Sequence, residues 1–173
     1  MNYSIPTIMS NLLCPRHELS CSWFVWRRLV RALRERGHGA TRESGAFLLG
    51  HRTAGRARIT NFVLYDDLDP HCLDTGIVRF DGRYYGALWS LVERKKCSVI
   101  ADVHVHPGQA FQSDPDRRNP MIAQAGHIAL ILPNFAAPPA SHETARIYVF
   151  EQRDRWRIVP PHDTRTVFYV GLP

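Results

Sequence analysis

The chain has 173 residues and a formal net charge of +6 at pH 7, with a pI near 9.5. Hydrophobic residues make up 45% of it and charged residues 22%, a balance typical of one globular domain. No apolar run approaches the roughly 18 residues of a membrane helix, and residues 1–13 lack the basic start of a signal peptide. These features argue against a membrane protein and predict a cytoplasmic protein with one domain over residues 1–173.

Hydrophobic periodicity predicts two main helices. The first covers residues 22–36, where apolar residues recur at helical spacing and Gly37 follows the last turn. The second covers residues 81–95. The first helix is predicted to bury Trp23, Trp26, Leu29, Val30 and Leu33, and the second to bury Tyr85, Leu88, Trp89 and Val92. Each helix is therefore expected to pack one apolar face against a sheet.

Apolar segments separated by turn residues predict the strands. They cover residues 43–52, 56–65, 97–105, 127–132, 146–152 and 155–159. The first two and the last two are each separated by a short turn, which predicts two hairpins. Residues 66–80 and 134–144 are predicted loops, and residues 115–125 a short helix or turn. The predicted fold class is α/β (α+β), with a central mixed β-sheet flanked by helices.

The polar face of the first helix is rich in arginine. Its members are Arg27, Arg28, Arg31, Arg34 and Arg36. A basic helix is able to bind phosphate backbones, and a basic surface equally suits an acidic protein partner. A solvated helix face is the commoner meaning of such a pattern, so we do not expect a nucleic-acid partner.

The segment Asp102-Val-His-Val-His-Pro-Gly carries the strongest functional signal. Because side chains alternate along a strand, Ile100, Asp102, His104 and His106 are predicted to share one face. Two imidazoles on one face are able to bind one ion, and a turn after the strand returns Asp116 as a third ligand. A His/His/Asp set with one position open for water is typical of catalytic zinc.

The same residues resemble a known family. The sequence His104-Val-His-Pro followed by Ser113-Asp-Pro-Asp116 resembles the signature of the JAB/MPN (JAMM) zinc metallopeptidases. That family also carries a glutamate far upstream, and the segment from Glu43 to Gly50 is similar to that element. The resemblance covers about residues 20–160. It implies the MPN/JAB fold, which is cytidine-deaminase-like, and one Zn²⁺ per chain.

The resemblance also implies a role for each residue. Glu43 is the general base that accepts the proton of the attacking water and passes it to the leaving amine. Ser113 donates a hydrogen bond to the oxyanion of the tetrahedral intermediate. Asp102 is either an acceptor for the ring N–H groups of the ligand histidines or a solvated strand residue. His127 and His142 are expected to be structural or exposed rather than ligands.

One departure from the family leaves a ligand open. Five residues separate Pro107 from Ser113, where eukaryotic members usually have six. Asp114 is therefore an alternative to Asp116 as the carboxylate ligand, although Asp116 keeps the spacing of the family motif.

The chain looks most like short bacterial JAB proteins encoded with E1- and E2-like enzymes in anti-phage defence. This likeness implies hydrolysis of the peptide or isopeptide bond after the C-terminal tail of a ubiquitin-like modifier, in maturation or deconjugation. Residues 66–80 and 134–144 are the predicted walls of the groove for that tail. Three alternatives stay open: a peptidase that processes a sulfur-carrier protein, a non-catalytic MPN scaffold, and a DNA-associated JAB protein.

Overall fold

The structure is a computed structural model that describes residues 17–53 and 55–172. The predicted absence of a leader sequence concerns residues outside this part of the chain. The strands are β1 (Leu19–Ser22), β2 (Gly45–Thr53), β3 (Arg56–Leu64), β4 (Ser98–Val105), β5 (Ile128–Leu132), β6 (Arg146–Gln152), β7 (Arg155–Ile158) and β8 (Phe168–Gly171). The α-helices are α1 (Trp23–Arg36), α2 (Tyr85–Arg94), α3 (Asp114–Arg118) and α4 (Thr164–Val167).

The eight strands form one mixed sheet in the order β7-β6-β5-β4-β2-β3-β1-β8. Strand β4 lies near its middle, antiparallel to β2 and parallel to β5. The hairpins β2/β3 and β6/β7 are antiparallel, as the sequence predicted. The fold is therefore mixed α/β, with a sheet flanked by helices, and the central strand β4 leads to the predicted histidine ligands.

Helices cover both faces of the sheet. Helix α1 buries Trp26, Leu29 and Leu33 in a core that includes Leu48 and Val103 of the central strands. Helix α2 buries Leu88 on the other face, beside an aromatic cluster. Because the central strands are covered on both faces, β2 is apolar over a continuous run from Ala46 to Leu49.

The predicted helix faces are wrong at two tryptophans. Trp23 is 55% exposed and Trp89 is 47% exposed, whereas Trp26 and Leu88 are buried as predicted. Trp23 is the first residue of α1, since Ser22 caps the helix by accepting a hydrogen bond from the N–H of Val25. Its exposed ring lies 4.5 Å from the guanidinium of Arg27, one turn later, so apolar spacing alone does not bury it.

A bulge in β4 corrects the predicted strand faces. Leu49 of β2 pairs with Val99 but Leu48 pairs with Ala101, so Ile100 has no partner across this pair of strands. Ile100 consequently packs in the α1-side core together with Ala101. The prediction that Ile100 shares a face with the histidines is therefore wrong.

The short strands at the two ends of the described chain were not predicted. Strands β1 and β8 have four residues each, pair in parallel with one another, and attach to the sheet through β3. Four residues are too few to show a hydrophobic period, and the pairing joins segments far apart in sequence.

No helix in residues 17–53 and 55–172 is long and apolar enough to cross a membrane.

Gly45 opens β2 beside the predicted site, and its missing side chain has a clear reason. A Cβ atom there would lie 2.2 Å from the ring of Tyr65 and 2.8 Å from the carbonyl oxygen of Val103. The ring of Tyr65 is fully buried and its hydroxyl reaches Asp102 of β4. Glycine at this position therefore lets Tyr65 pack under the strand that carries the histidines.

We predict that Gly45→Ala lowers the free energy of unfolding by about 1–3 kcal/mol, because the methyl group overpacks this contact. Urea denaturation measures the effect. Gly82→Ala is the matched control, since a Cβ atom there meets nothing within 4 Å. Equal stabilities of the two variants would contradict the packing argument.

Candidate metal centre

The end of β4 brings two imidazoles together. His104 lies in β4 and His106 directly follows its last residue, and both are at least 94% buried. Their Nε2 atoms are 3.0 Å apart. This is the distance of an N–H···N hydrogen bond and also of two ligands on one ion. The alternation of strand side chains thus places both imidazoles on one face, as the sequence predicted.

The third donor is Asp116, on α3. Its Oδ2 atom lies 3.6 Å from Nε2 of His104 and 3.3 Å from Nε2 of His106. Metal–nitrogen distances of about 2.0–2.1 Å place two ligands of a tetrahedral ion roughly 3.3 Å apart. The three donor atoms therefore fit the edges of such a coordination sphere, and these side chains could hold one metal ion.

Asp114, the alternative ligand, lies outside this cluster. Its side chain is 65% exposed and its Oδ1 atom forms an ion pair with Arg117 one turn later. The shortened loop after Pro107 therefore still brings Asp116, and not Asp114, to the histidines.

The charges of the cluster support one another. Burial by itself would raise the pKa of Asp116, but hydrogen bonds to His104, His106 and Ser113 hold that pKa well below its ordinary value. Burial opposes a charge on His104, but Asp116 and the more distant carboxylates Asp102 and Glu43 outweigh it and raise the pKa of His104. The buried carboxylates around the histidines thus stabilise a positive charge between the donor atoms.

Ser113 lies beside Asp116 as the N-cap of α3. Its hydroxyl donates a hydrogen bond of 2.6 Å to Oδ2 of Asp116, and its backbone N–H donates another of 2.8 Å to the same atom. The structure thus places the hydroxyl on the metal-facing carboxylate oxygen. Donation to an oxyanion, the predicted role of Ser113, requires the hydroxyl to turn away from Asp116.

Aromatic side chains from other elements hold the segment that carries Asp116. The indole N–H of Trp156 donates to the carbonyl of Arg117 over 3.1 Å, and the hydroxyl of Tyr148 accepts from the N–H of Gln112 over 3.0 Å. The hydroxyl of Tyr85 donates to the carbonyl of Met121. Because α3 has only five residues, these contacts fix its position more than its own helical bonds do.

Glu43 lies just before β2 and points into the same site. Its Oε1 atom is 3.9 Å from Nε2 of His106, and its side chain is 13% exposed. Its Oε2 atom accepts a hydrogen bond from the N–H of Val78, and its own N–H donates to the carbonyl of Gly76. The 66–80 loop therefore orients this carboxylate beside the donor cluster.

Asp102 departs from both sequence expectations. It is neither solvated nor bonded to the ring N–H groups of the ligand histidines in the hydrogen bonds that the structure describes. It is 98% buried, with Oδ1 at 2.6 Å from Nε2 of His127 and Oδ2 accepting from the hydroxyl of Tyr65 over 3.2 Å. His127 is therefore structural, as predicted, and half-buried His142 packs against Trp26 instead.

Sequence reasoning also missed Phe111, which lies between Pro107 and Ser113. Its ring meets His106 edge-on, with 5.3 Å between centroids, yet it is 55% exposed. An apolar ring held at the mouth of a buried polar cluster is suited to contact a substrate. The one signal for Phe111 in the sequence was its position five residues after His106.

Comparisons with known proteins agree at a coarse level. No family model matches the chain. A segment of 67 residues is 28% identical to the "Probable metalloprotease y4jG" of Sinorhizobium fredii (strain NBRC 101917 / NGR234), covering 39% of this chain and 41% of that protein. The solution structure of protein DSY2949 from Desulfitobacterium hafniense superposes with a TM-score of 0.64 over 90% of this chain and 94% of that one, at 14% identity.

The structural likeness shows a shared fold. The partial sequence likeness weakly indicates a metalloprotease, and the His104/His106/Asp116 cluster adds a possible metal site to it. Together they support a metal-dependent hydrolase.

We predict that Asp116→Ala weakens metal binding at least about tenfold, whereas Asp114→Ala changes it less than about twofold, because only Asp116 faces the imidazoles. Isothermal titration with Zn²⁺ and elemental analysis of both purified variants measure the difference. A larger loss of metal affinity in Asp114→Ala than in Asp116→Ala would show that Asp114 is the carboxylate ligand.

We also predict that His127→Ala lowers the free energy of unfolding by about 3–5 kcal/mol, because it leaves the buried Asp102 carboxylate without its closest partner. Tyr65→Phe removes a single longer hydrogen bond and should cost about 1 kcal/mol. Urea denaturation of both variants compares the two losses of unfolding free energy. A larger loss in Tyr65→Phe would show that Tyr65, and not His127, is the main partner of Asp102.

Proposed function

We propose that this protein is a zinc-dependent peptidase or isopeptidase of the JAB/MPN type. The observation that carries the proposal is the meeting of His104, His106 and Asp116 beside the buried carboxylate of Glu43. Two imidazoles and one carboxylate suit zinc, and fewer than four protein ligands leave room for a water and a substrate oxygen. When bound, the ion lowers the pKa of a water molecule and polarises the carbonyl of the substrate.

The protein side chains supply the proton transfers and the orientation. Glu43 accepts the proton of the attacking water and later gives it to the leaving amine. Its position next to His106, with one oxygen held by the N–H of Val78, keeps the other oxygen directed at the site. Ser113 fixes the oxygen of Asp116 that faces the histidines and is the candidate donor to the oxyanion.

For the substrate we propose the extended C-terminal tail of a ubiquitin-like modifier, cut from a precursor or a conjugate. Both predicted groove walls contact the main chain of the site. Gly76 of the 66–80 loop bonds to Glu43, and the N–H of Phe135 donates to the carbonyl of His106 over 2.8 Å. A strand-like tail held between such loops forms main-chain hydrogen bonds and exposes its last peptide bond to the catalytic groups.

By its resemblance, the protein is proposed to act with E1- and E2-like enzymes in a bacterial conjugation system for anti-phage defence. Processing of a sulfur-carrier protein uses the same chemistry on a similar tail. A panel of both kinds of protein, each fused through its C terminus to a reporter, separates the two. Cleavage of the ubiquitin-like members, abolished by a chelator and restored by Zn²⁺, is the expected result. Cleavage of the sulfur carriers alone would replace the proposed substrate.

We predict that Glu43→Gln retains the metal within about twofold and lowers kcat by about 10²–10⁴-fold, because the ligands remain while the general base is lost. Reporter cleavage and elemental analysis of the same preparation measure both quantities. Glu93→Gln, on the exposed side of α2, is the control and should leave both unchanged. Full activity in Glu43→Gln would remove Glu43 from the mechanism.

A further inference from the structure

A trough runs along the outer side of α1, on the face of the sheet opposite the metal centre. Helix α1 forms one wall, and the 134–140 segment forms the other. The trough has a cavity of about 750 Å³ near the start of the helix and a second of about 510 Å³ near its end. Both cavities touch Arg31 and Arg34, so they are neighbours along the helix.

Four arginines of α1 line this trough. They are Arg27, Arg28, Arg31 and Arg34. Within the described residues, no carboxylate forms an ion pair with Arg27, Arg28 or Arg34, while Arg31 pairs with Glu35 on the exposed surface. Residues 1–16 contain no aspartate or glutamate, so they bring no countercharge either. In the part of the chain that the structure describes, Arg27, Arg28 and Arg34 therefore give the trough a positive charge that no ion pair compensates.

The trough is apolar between these charges. Trp23 and Phe24 are 55% and 66% exposed in its wall, which is the reason that Trp23 departs from the predicted buried face. The guanidinium of Arg27 lies 4.5 Å above the ring of Trp23, and that of Arg28 lies 5.8 Å from the ring of Phe24. Stacking of this kind orients the guanidinium planes and leaves their N–H groups free for a ligand.

The wall of the trough opposite α1 indicates which class of anionic ligand fits. Ala136, Pro138 and Ala140 form it, and no amide, hydroxyl or carboxylate side chain of residues 17–53 and 55–172 lines the larger cavity. The amino groups of a nucleobase would find no side-chain acceptor among the described residues of this cavity, because arginine only donates, whereas an aliphatic or aromatic side chain needs none.

We propose that the trough binds an acidic, amphipathic peptide segment of a partner protein. Large apolar side chains of that segment enter the cavity beside Trp23, and its aspartates and glutamates pair with the arginine forks of α1. The trough shares the 134–140 segment with the predicted groove for the scissile bond, but its arginine wall lies on the face of the sheet opposite the metal centre. The 134–136 segment joins the two regions, since Phe135 bonds to the carbonyl of His106.

Selection from a phage-displayed library of random twelve-residue peptides on the whole protein tests this proposal. Enriched peptides should combine an excess of Asp and Glu with Leu, Phe or Trp. One enriched peptide, labelled with fluorescein, then gives a dissociation constant by anisotropy, with a labelled dT20 oligonucleotide measured alongside. No enrichment, enrichment without acidic residues, or tighter binding of dT20 than of the peptide overturns the proposal.

Matched variants test whether the selected peptide binds in the trough. Arg27→Glu with Arg34→Glu should weaken peptide binding at least about tenfold, since both cations are lost and reversed. Arg155→Glu with Arg157→Glu, on the edge strand β7, makes the same change in net charge and should alter binding less than about twofold. Trp23→Ala should weaken binding more than Trp89→Ala, an exposed tryptophan of the other helix. Equal effects within either pair overturn the assignment to this surface.

Discussion

The convergence of three donor atoms at the end of β4 is the constraint on which the structure depends. The Nε2 atoms of His104 and His106 and the Oδ2 atom of Asp116 lie 3.0–3.6 Å apart in a largely buried site. Donors this close and this poorly solvated are stable when a shared proton or a cation lies between them. Neighbouring features serve that geometry: Gly45 makes room for Tyr65, and Trp156 holds the helix that carries Asp116.

The parts of the site that follow from a strand were predictable from the sequence. Alternation placed both imidazoles on one face, and motif spacing selected Asp116 over Asp114. The bulge at Ile100 was not predictable, because it depends on the register between β2 and β4. The network of Tyr65, Asp102 and His127 was missed for a similar reason, since its members are 25 and 37 residues apart and each alone has no distinctive pattern.

The fold was predicted best where segments were long and periodic. Helix α1 and the two hairpins were found nearly to the residue, whereas the four-residue strands β1 and β8 carry too little pattern. The error at Trp23 is informative, because apolar spacing does not distinguish a ring that packs on the sheet from one that lines a surface trough. The sheet consequently has the candidate metal centre on one face and the proposed arginine-lined peptide trough on the other.

The central claim is that one metal ion joins His104, His106 and Asp116. X-ray absorption at the zinc edge of protein purified without a chelator tests it most directly, because it reports both the metal and its ligands. The account predicts about one zinc per chain, with two imidazoles and only nitrogen or oxygen ligands near 2.0–2.1 Å. Metal-free protein that refuses added Zn²⁺, or a sulfur ligand at about 2.3 Å, would contradict it.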